Sequence, residues 1–484
     1  MAKKKARSAT HSTIPQHRRQ GSALVPPLRT LPQLKPVSWH NDRLPEILWA
    51  ALLITHLPRR AALTTFYRVG DYVHRNREIE MIHDVTHTGT SRLSHEIAAG
   101  LVATIVESAE HREALAPLLV LRELPGRELW EQALGATNAE DWNSLALAIA
   151  RTLDHQSQEA TDCRWLRVVG LLAAGKLHLQ NEEQAKQLSG YPDYGDQRQV
   201  RPFIRATEGM LDQANDSGRE WPARFWAQCL TDTACYPLTM GRDSIPLILG
   251  TTPDRARFVY DRLVEHCAAT RATSATDARH DTVFGIALYS LGLLQELLRV
   301  GASQSITGRL ALRTIGECAI TLAYLAYKDS PELWMSYRVY GAGQAKLAFL
   351  KLEEAEDQPT YVNIEMLEHL ANEDMWQEFL PIELGHWDKT NLRKMSEEAG
   401  VKTEYDRFYS WTSTFSHGHW GATRDTVFDT CGNPLHRVHR IPASAPHTLP
   451  DAVPDACTYV DHILALVSRC YPDFAERVAM TTAQ

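Results

Sequence analysis

The sequence lacks the short motifs that mark several common enzyme classes. It contains no Gly-x4-Gly-Lys-Ser/Thr loop, no Gly-x-Ser-x-Gly elbow and no His-Glu-x-x-His helix. These absences argue against a P-loop ATPase, an α/β-hydrolase and the common metalloproteases. The eight cysteines include no Cys-x-x-Cys pair. They therefore indicate small buried side chains in a reducing compartment and not a disulfide framework.

Long apolar runs are also scarce. The best candidate for a membrane span, residues 310–327, contains Arg313 and Glu317, and charged residues are costly inside a bilayer. The basic N-terminus is not followed by the apolar core of a signal peptide. A net charge of −8 gives no general attraction to nucleic acid or to anionic membranes. We therefore expect a cytoplasmic protein that does not enter a membrane.

The length and the spacing of apolar residues predict a two-lobed, all-α assembly of many helices. A chain of 484 residues exceeds the size of about 250–300 residues at which single cores stop growing. We predict a disordered basic arm over residues 1–35, an N-terminal helical domain over 36–240 and a C-terminal helical domain over 251–484. Apolar residues at three- and four-residue spacing place four long helices at the start of the last domain: 253–271, 276–300, 304–328 and 331–356.

The predicted arm is strongly basic. Residues 1–35 hold eight Lys or Arg and no Asp or Glu, a composition that cannot form a packed core. Such an arm can act as a solubilising tail. It can also tether the protein to RNA, to DNA or to the acidic surface of a protein partner. Both interpretations stay open at this point.

An ion pair interrupts an otherwise apolar helix of the C-terminal domain. Arg313 and Glu317 stand four residues apart, and Tyr324 follows on the same face. Buried charges are costly unless they are paired and hydrogen-bonded. The pair is either an internal contact that orients two helices or the wall of a pocket. In the second case Arg313 binds an anion, Glu317 holds Arg313 in place, and Tyr324 belongs to the same ligand-binding face.

A second polar stripe lies on the helix predicted over residues 402–420. Tyr405, Tyr409, Ser413 and His417 recur every four residues and therefore share one face. One interpretation is an interhelical hydrogen-bond network. The other is general acid–base catalysis, in which His417 is the base and Tyr409 or Ser413 positions the substrate.

Histidines and a cysteine near the same helix also suggest zinc. The residue types are those that zinc accepts, but their spacing matches no common structural zinc module. We therefore predict no cofactor and keep zinc as the alternative. The candidate ligands are His417, His419, Cys431, His436 and His439.

The N-terminal half contains a spacing used by helical HEPN ribonucleases, Arg-x4–6-His. It occurs at Arg68 and His74, and again at Arg77 and His83. A chain with 21 histidines produces such matches by chance. The spacing therefore offers only a ribonuclease alternative.

Over about residues 270–425 the polar pattern resembles a bacterial family of unknown function, domain of unknown function number five-six-seven-seven. That family pairs an Arg-x-x-x-Glu helix followed by Tyr-Leu with a later Tyr…Ser…His helix. The resemblance implies that the two polar helices meet and share one site. The matching residues here are Arg313, Glu317, Tyr324, Leu325, Tyr409, Ser413 and His417.

A shared site of this composition predicts a polar pocket in the C-terminal lobe that binds an anion or nucleic acid, such as RNA or another phosphate-bearing ligand. A bacterial stress or phage-defence role is the expected setting. Arginine beside histidine also suits a metal-independent, HEPN-like ribonuclease. The third alternative is a non-enzymatic scaffold or interaction protein in which the polar residues only fix helix packing.

Overall fold

The fold is described from a computed structural model of the chain. It describes the following residues: 17–21, 23–26, 38–76, 85–135, 141–177, 182–193, 200–210, 220–238, 250–357, 359–373, 376–437 and 439–479. These residues are overwhelmingly helical, so the predicted all-α class is confirmed. Most of the predicted arm lies outside the described residues. Within it, two exposed three-residue strands, β1 (Arg18–Gln20) and β2 (Ala23–Val25), pair in antiparallel fashion.

The chain divides into two compact units. The first comprises Met1–Leu238 and Thr430–Ile441, and the second comprises Thr239–Asp429 and Pro442–Gln484. The sequence analysis placed residues 430–441 in the C-terminal domain, whereas in the structure they belong to the first unit. Strand pairing explains this difference, since Cys431 and Thr430 pair with Pro237 and Leu238. Contacts between residues so distant in sequence leave no local pattern.

The first unit contains eleven of the described α-helices. They are α1 (Leu48–His56), α2 (Arg59–Asn76), α3 (His87–Thr90), α4 (His95–Ile105), α5 (Ala109–Leu115), α6 (Arg127–Leu134), α7 (Trp142–Leu153), α8 (Gln158–Ala173), α9 (Glu182–Gly190), α10 (Arg201–Met210) and α11 (Glu220–Asp232). Side-chain caps begin several of them: Asp141 accepts from Ser144 N, and Ser157 accepts from Ala160 N.

Helix α1 forms the centre of the first unit. Its sequence is apolar on every side, and a helix of this kind is stable only when it is surrounded. It packs against α2, α5, α7 and α8, and Trp49 is buried against Phe66 in an edge-to-face contact at 5.7 Å. The first unit thus has a hydrophobic core of its own.

The second unit contains the other nine described α-helices. They are α12 (Pro253–Thr270), α13 (Ala278–Val300), α14 (Ile306–Lys328), α15 (Pro331–Glu353), α16 (Ile364–Ala371), α17 (Leu392–Glu398), α18 (Lys402–Ser416), α19 (Trp420–Val427) and α20 (Val453–Cys470). The first four match the four long helices predicted there. Helix α14 is central, because it packs against α13, α17, α18 and α20.

One helix among the described residues, α13, is long and apolar enough to cross a membrane by length and composition. The sequence analysis had considered residues 310–327 instead. A core helix meets the same criterion, and α13 contributes Val283, Phe284 and Leu291 to the core of the second unit. This helix is therefore weak evidence for a membrane span.

A small three-stranded sheet has the order β3 (Pro237–Leu238), β4 (Phe428–Cys431) and β5 (Arg440–Pro442). Between β4 and β5 the chain forms a short 3-10 turn, Pro434–His436. Gly432 lets the chain pass close to this sheet, since a Cβ atom there would lie 2.7 Å from Leu238 Cγ.

Candidate functional site

Helix α14 presents a row of polar side chains along one face. The Arg313 Nη2 atom lies 2.7 Å from Glu317 Oε1, and the Arg313 side chain is only 13% exposed. Its second terminal nitrogen, Nη1, is buried and has no hydrogen-bond acceptor among the residues that the structure describes. Burying such a donor without a partner costs about 1–3 kcal/mol. The Arg313 guanidinium is therefore held in place with part of its hydrogen-bonding capacity unused.

Helix α18 brings aromatic rings to the same place. The Arg313 guanidinium lies 4.4 Å from the centre of the Tyr409 ring, and the Tyr405 ring stacks on Tyr409 at 4.5 Å. The two helices approach closely because position 316 is glycine. A Cβ atom there would lie 2.5 Å from Phe408 Cζ. The structure thus brings together Arg313, Glu317 and Tyr409, as the resemblance implied.

The predicted stripe is shorter than expected. Helix α18 ends at Ser416 and not near residue 420, because Gly418 adopts a left-handed conformation with φ of +57° directly after the C-cap residue His417. Ser413 is half-buried on the helix, whereas His417 is exposed and its ring stacks on His419 at 5.5 Å. His417 therefore lies exposed at the C-terminal end of α18.

An open cavity of about 400 Å³ lies beside Glu317 and Tyr409. Its walls come from α14, from α18 and from the segment that precedes α17. The lining side chains are mostly polar and of both charges: Glu317, Thr321, His386, Asp388, Lys389, Thr390, Asn391, Leu392 and Tyr409.

Tyr324 connects α14 to that segment. Its hydroxyl donates to Asp388 Oδ2 at 2.8 Å. Burial and this bond raise the pKa of Tyr324 above its ordinary value. Burial opposes ionisation of Asp388, but the bonds from Tyr324 and from the Lys389 backbone amide lower the pKa of that carboxyl below its ordinary value. Asp388 is therefore an ionised hydrogen-bond acceptor at neutral pH.

The segment that carries His386 and Asp388 is anchored on α15. The Trp387 ring is buried and packs edge-to-face on Tyr337 at 5.4 Å. The Ser336 hydroxyl donates to the Trp387 carbonyl at 2.9 Å. The sequence analysis did not single out these residues. They precede α17, which begins at Leu392 and is capped by Asn391 through Lys394 N. The polar run just before Asn391 was the available signal.

The candidate zinc ligands divide between the two units. Cys431, His436 and His439 lie together in the first unit, where Cys235 joins them. The sequence analysis did not include Cys235. His417 and His419 belong to the second unit.

The two Arg-x5-His matches gain no support. Arg68 pairs with Glu107 and donates to Thr65 Oγ1 at 2.9 Å, whereas His74 is exposed on the same helix. Side chains six residues apart on a helix, such as those of Arg68 and His74, point in different directions. Arg77 and His83 lie outside the described residues.

The profile of a family described as a family of unknown function (DUF5677) matches residues 294–433. The resemblance predicted from the polar pattern in the C-terminal half is thereby confirmed. The matched segment contains Arg313, Glu317 and Tyr409 together with the residues that line the cavity. No curated protein and no solved structure is significantly similar to the chain.

Proposed function

We propose that the second unit binds a small phosphorylated ligand with neighbouring hydroxyl groups, such as the ribose-phosphate part of a nucleotide or of RNA, in the cavity beside Glu317 and Tyr409. The observation that carries the proposal is the lining of this cavity, where the carboxylates of Glu317 and Asp388 and the ammonium group of Lys389 border one open space. Arg313 does not line the cavity, but its guanidinium contacts Glu317 and the Tyr409 ring and orients both. A few polar groups that converge on an open cleft are typical of small-ligand sites.

The size and charges of the cavity support this ligand class. A volume of about 400 Å³ is within the range of roughly 300–1,000 Å³ usual for small-molecule sites. Glu317 and Asp388 supply carboxylate acceptors for ribose hydroxyls. The Lys389 ammonium, which forms no ion pair within the described part of the chain, supplies a charge for phosphate.

The test is a calorimetric titration of the full chain with adenosine 5′-monophosphate, its 2′-deoxy form and a short single-stranded oligoribonucleotide. Tight binding of the mononucleotide indicates a free nucleotide as ligand, and binding of the oligonucleotide alone indicates RNA. We expect Glu317→Gln to weaken binding by roughly 10–100-fold, because it removes a charge-assisted hydrogen bond worth about 1.5–3 kcal/mol. Arg313→Met should also weaken binding, because Glu317 and Tyr409 lose the guanidinium that orients them.

Arg257→Met is the matched control. Like Arg313 and Glu317, Arg257 and Asp261 are an ion pair four residues apart on a helix, with 3.0 Å between Nη2 and Oδ1. This pair lies on an exposed part of α12. This variant should bind as the wild type does. Equal weakening in both arginine variants, or no binding by any of the three probes, would refute the proposal.

A metal-independent ribonuclease is the second candidate, and one observation favours it: an imidazole, His386, lines the cavity. His386 takes the place that the sequence analysis gave to His417. If the chain cleaves RNA in the presence of a chelator, His386→Ala should abolish cleavage while His417→Ala preserves it. The reverse result would restore the original assignment to His417.

A further inference from the structure

Four side chains of the first unit converge as metal ligands do. One ligand atom from each of Cys235, Cys431, His436 and His439 lies within 4.8 Å of all the others. The Cys431 Sγ–His436 Nδ1 distance is 3.3 Å, and Cys235 Sγ lies 3.5 Å from His436 Nδ1 and 3.6 Å from His439 Nε2. Zinc with tetrahedral bonds of about 2.3 Å to sulfur and about 2.05 Å to nitrogen separates such atoms by about 3.6 Å.

The tautomer of His436 is fixed by its neighbours. Thr233 Oγ1 donates its only hydrogen to the Cys229 carbonyl at 2.7 Å, so it must accept from His436 Nε2, which lies 2.8 Å away. His436 Nδ1 therefore carries a lone pair that points at two sulfur atoms. Asn433 Nδ2 also donates to Thr233 Oγ1, at 3.1 Å. Metal-binding histidines are commonly oriented by a hydrogen bond of this kind.

Backbone contacts bring the ligands together independently of any ion. Cys431 N donates to the His439 carbonyl at 3.0 Å, and His439 N donates to the His436 carbonyl at 2.9 Å. Gly432 N donates to the Tyr236 carbonyl at 2.6 Å, next to Cys235. Two segments nearly two hundred residues apart in sequence thus present their ligands to one point.

We propose that Cys235, Cys431, His436 and His439 bind one zinc ion. Two thiolates and two neutral imidazoles balance the charge of Zn²⁺, which suits a site where Cys431 and His436 are almost fully buried. Binding forms two zinc–sulfur and two zinc–nitrogen bonds and releases the two thiol protons. Four protein ligands fill the tetrahedron, so the ion is structural. It fastens residues 430–441 to the end of α11.

An access route for the ion exists. An open cavity of about 440 Å³ is lined by His436 and His439, together with Trp226 of α11. Two of the four ligands therefore border an opening through which an ion can approach from solvent. The site is independent of the ligand proposed for the second unit.

The test is metal analysis of the full chain purified without a polyhistidine tag. We expect one zinc per chain in the wild type and almost none in Cys431→Ser. Cobalt(II) added to the zinc-free chain should give the visible spectrum of a tetrahedral thiolate site. Thr233→Val keeps all four ligands and should weaken zinc binding by about 10–100-fold, because it removes the partner that orients His436.

Two matched controls should retain one zinc: Cys267→Ser, a half-buried thiol of the second unit, and His419→Ala, one of the ligands first considered. The proposal is overturned if the folded wild-type chain, checked by circular dichroism, neither contains zinc nor gives the cobalt spectrum. A disulfide between Cys235 and Cys431, detected by mass under non-reducing conditions, also overturns it. Loss of zinc in His419→Ala would assign the site to other ligands.

Discussion

The two units place their polar side chains in opposite ways. In the first unit one ligand atom from each of Cys235, Cys431, His436 and His439 converges on a single point, where four protein ligands would fill the tetrahedron of one ion. In the second unit Glu317 and Tyr409 face an open cavity, and the neighbouring Arg313 keeps a donor without an acceptor among the described residues. Four ligands that converge on one point suit an ion that stabilises the fold. Polar side chains beside an open cavity suit a ligand that binds reversibly.

The two sites are alike in that neighbouring side chains orient their polar groups. His436 is oriented by Thr233, which is itself fixed by the Cys229 carbonyl. The Arg313 guanidinium is oriented by Glu317 and by the Tyr409 ring. Both sites are therefore preorganised. They differ in that the polar side chains of the first site converge on one another, whereas those of the second site line an open cavity. The comparison predicts that perturbing the first site changes stability, while perturbing the second changes binding more than stability.

The largest expected effect is that of zinc removal on the first unit. A ligand present at a thousand times its dissociation constant stabilises the folded state by about 4 kcal/mol. A chelator should therefore lower protection from hydrogen exchange in residues 430–441 and at the end of α11. Helix α14 in the second unit serves as the internal control. Equal loss of protection in both units would contradict the expectation that zinc stabilises the first unit alone.

The second prediction concerns acid and the buried His87. Burial lowers the pKa of His87 to about 3, and its ring packs on Trp130 at 5.5 Å. Because the unfolded chain binds a proton near pH 6.5 and the folded chain does not, stability is complete above pH 6.5 and falls as the pH decreases towards 3. At about pH 5 the loss is about 2 kcal/mol.

Urea unfolding near pH 7 and near pH 5 measures this loss, and His87→Leu should reduce it. Wild type and variant are compared with zinc present, so that the metal ligands contribute equally to both. An unchanged difference between the two pH values in His87→Leu would assign the acid sensitivity to other groups.

Features of local origin were predictable from the sequence, and features of distant origin were not. The apolar spacing that predicted a helix over residues 304–328 depends only on neighbours, and α14 is found at Ile306–Lys328. The end of α18 was missed although Gly418 is a known stop signal. The place of Cys235 depends on the pairing of β3 with β4, and that of Asp388 depends on the anchoring of Trp387 to α15. Neither contact leaves a periodic pattern.

The third prediction tests the close approach of α14 and α18. In Gly316→Ala the new methyl group would meet the buried Phe408 ring, and overpacking typically costs about 1–3 kcal/mol. The better helix propensity of alanine offsets up to about 1 kcal/mol of this. We expect a net loss of about 1–2 kcal/mol in the second unit, measured by hydrogen exchange in α14.

Gly285→Ala in α13 is the matched control for this prediction. A Cβ atom at that position meets nothing within 4 Å, so only the propensity remains and the variant should gain up to about 1 kcal/mol. Changes of the same sign in the two variants would show that Gly316 does not set the distance between the helices.

The smallest expected change in stability, and the one that most sharpens the comparison, comes from Arg313→Met. Methionine retains the apolar stem and removes a buried nitrogen that has no acceptor among the described residues. It also removes the contact with Tyr409 and the pair with Glu317, whose side chain is 37% exposed. These terms oppose one another, so we expect a loss of about 1 kcal/mol or less, measured by urea unfolding, although ligand binding is strongly weakened. A loss of about 3–5 kcal/mol, the cost of breaking a buried structural pair, would instead make Arg313 a residue that holds the second unit together. The contrast between a stabilising site and a binding site would then disappear.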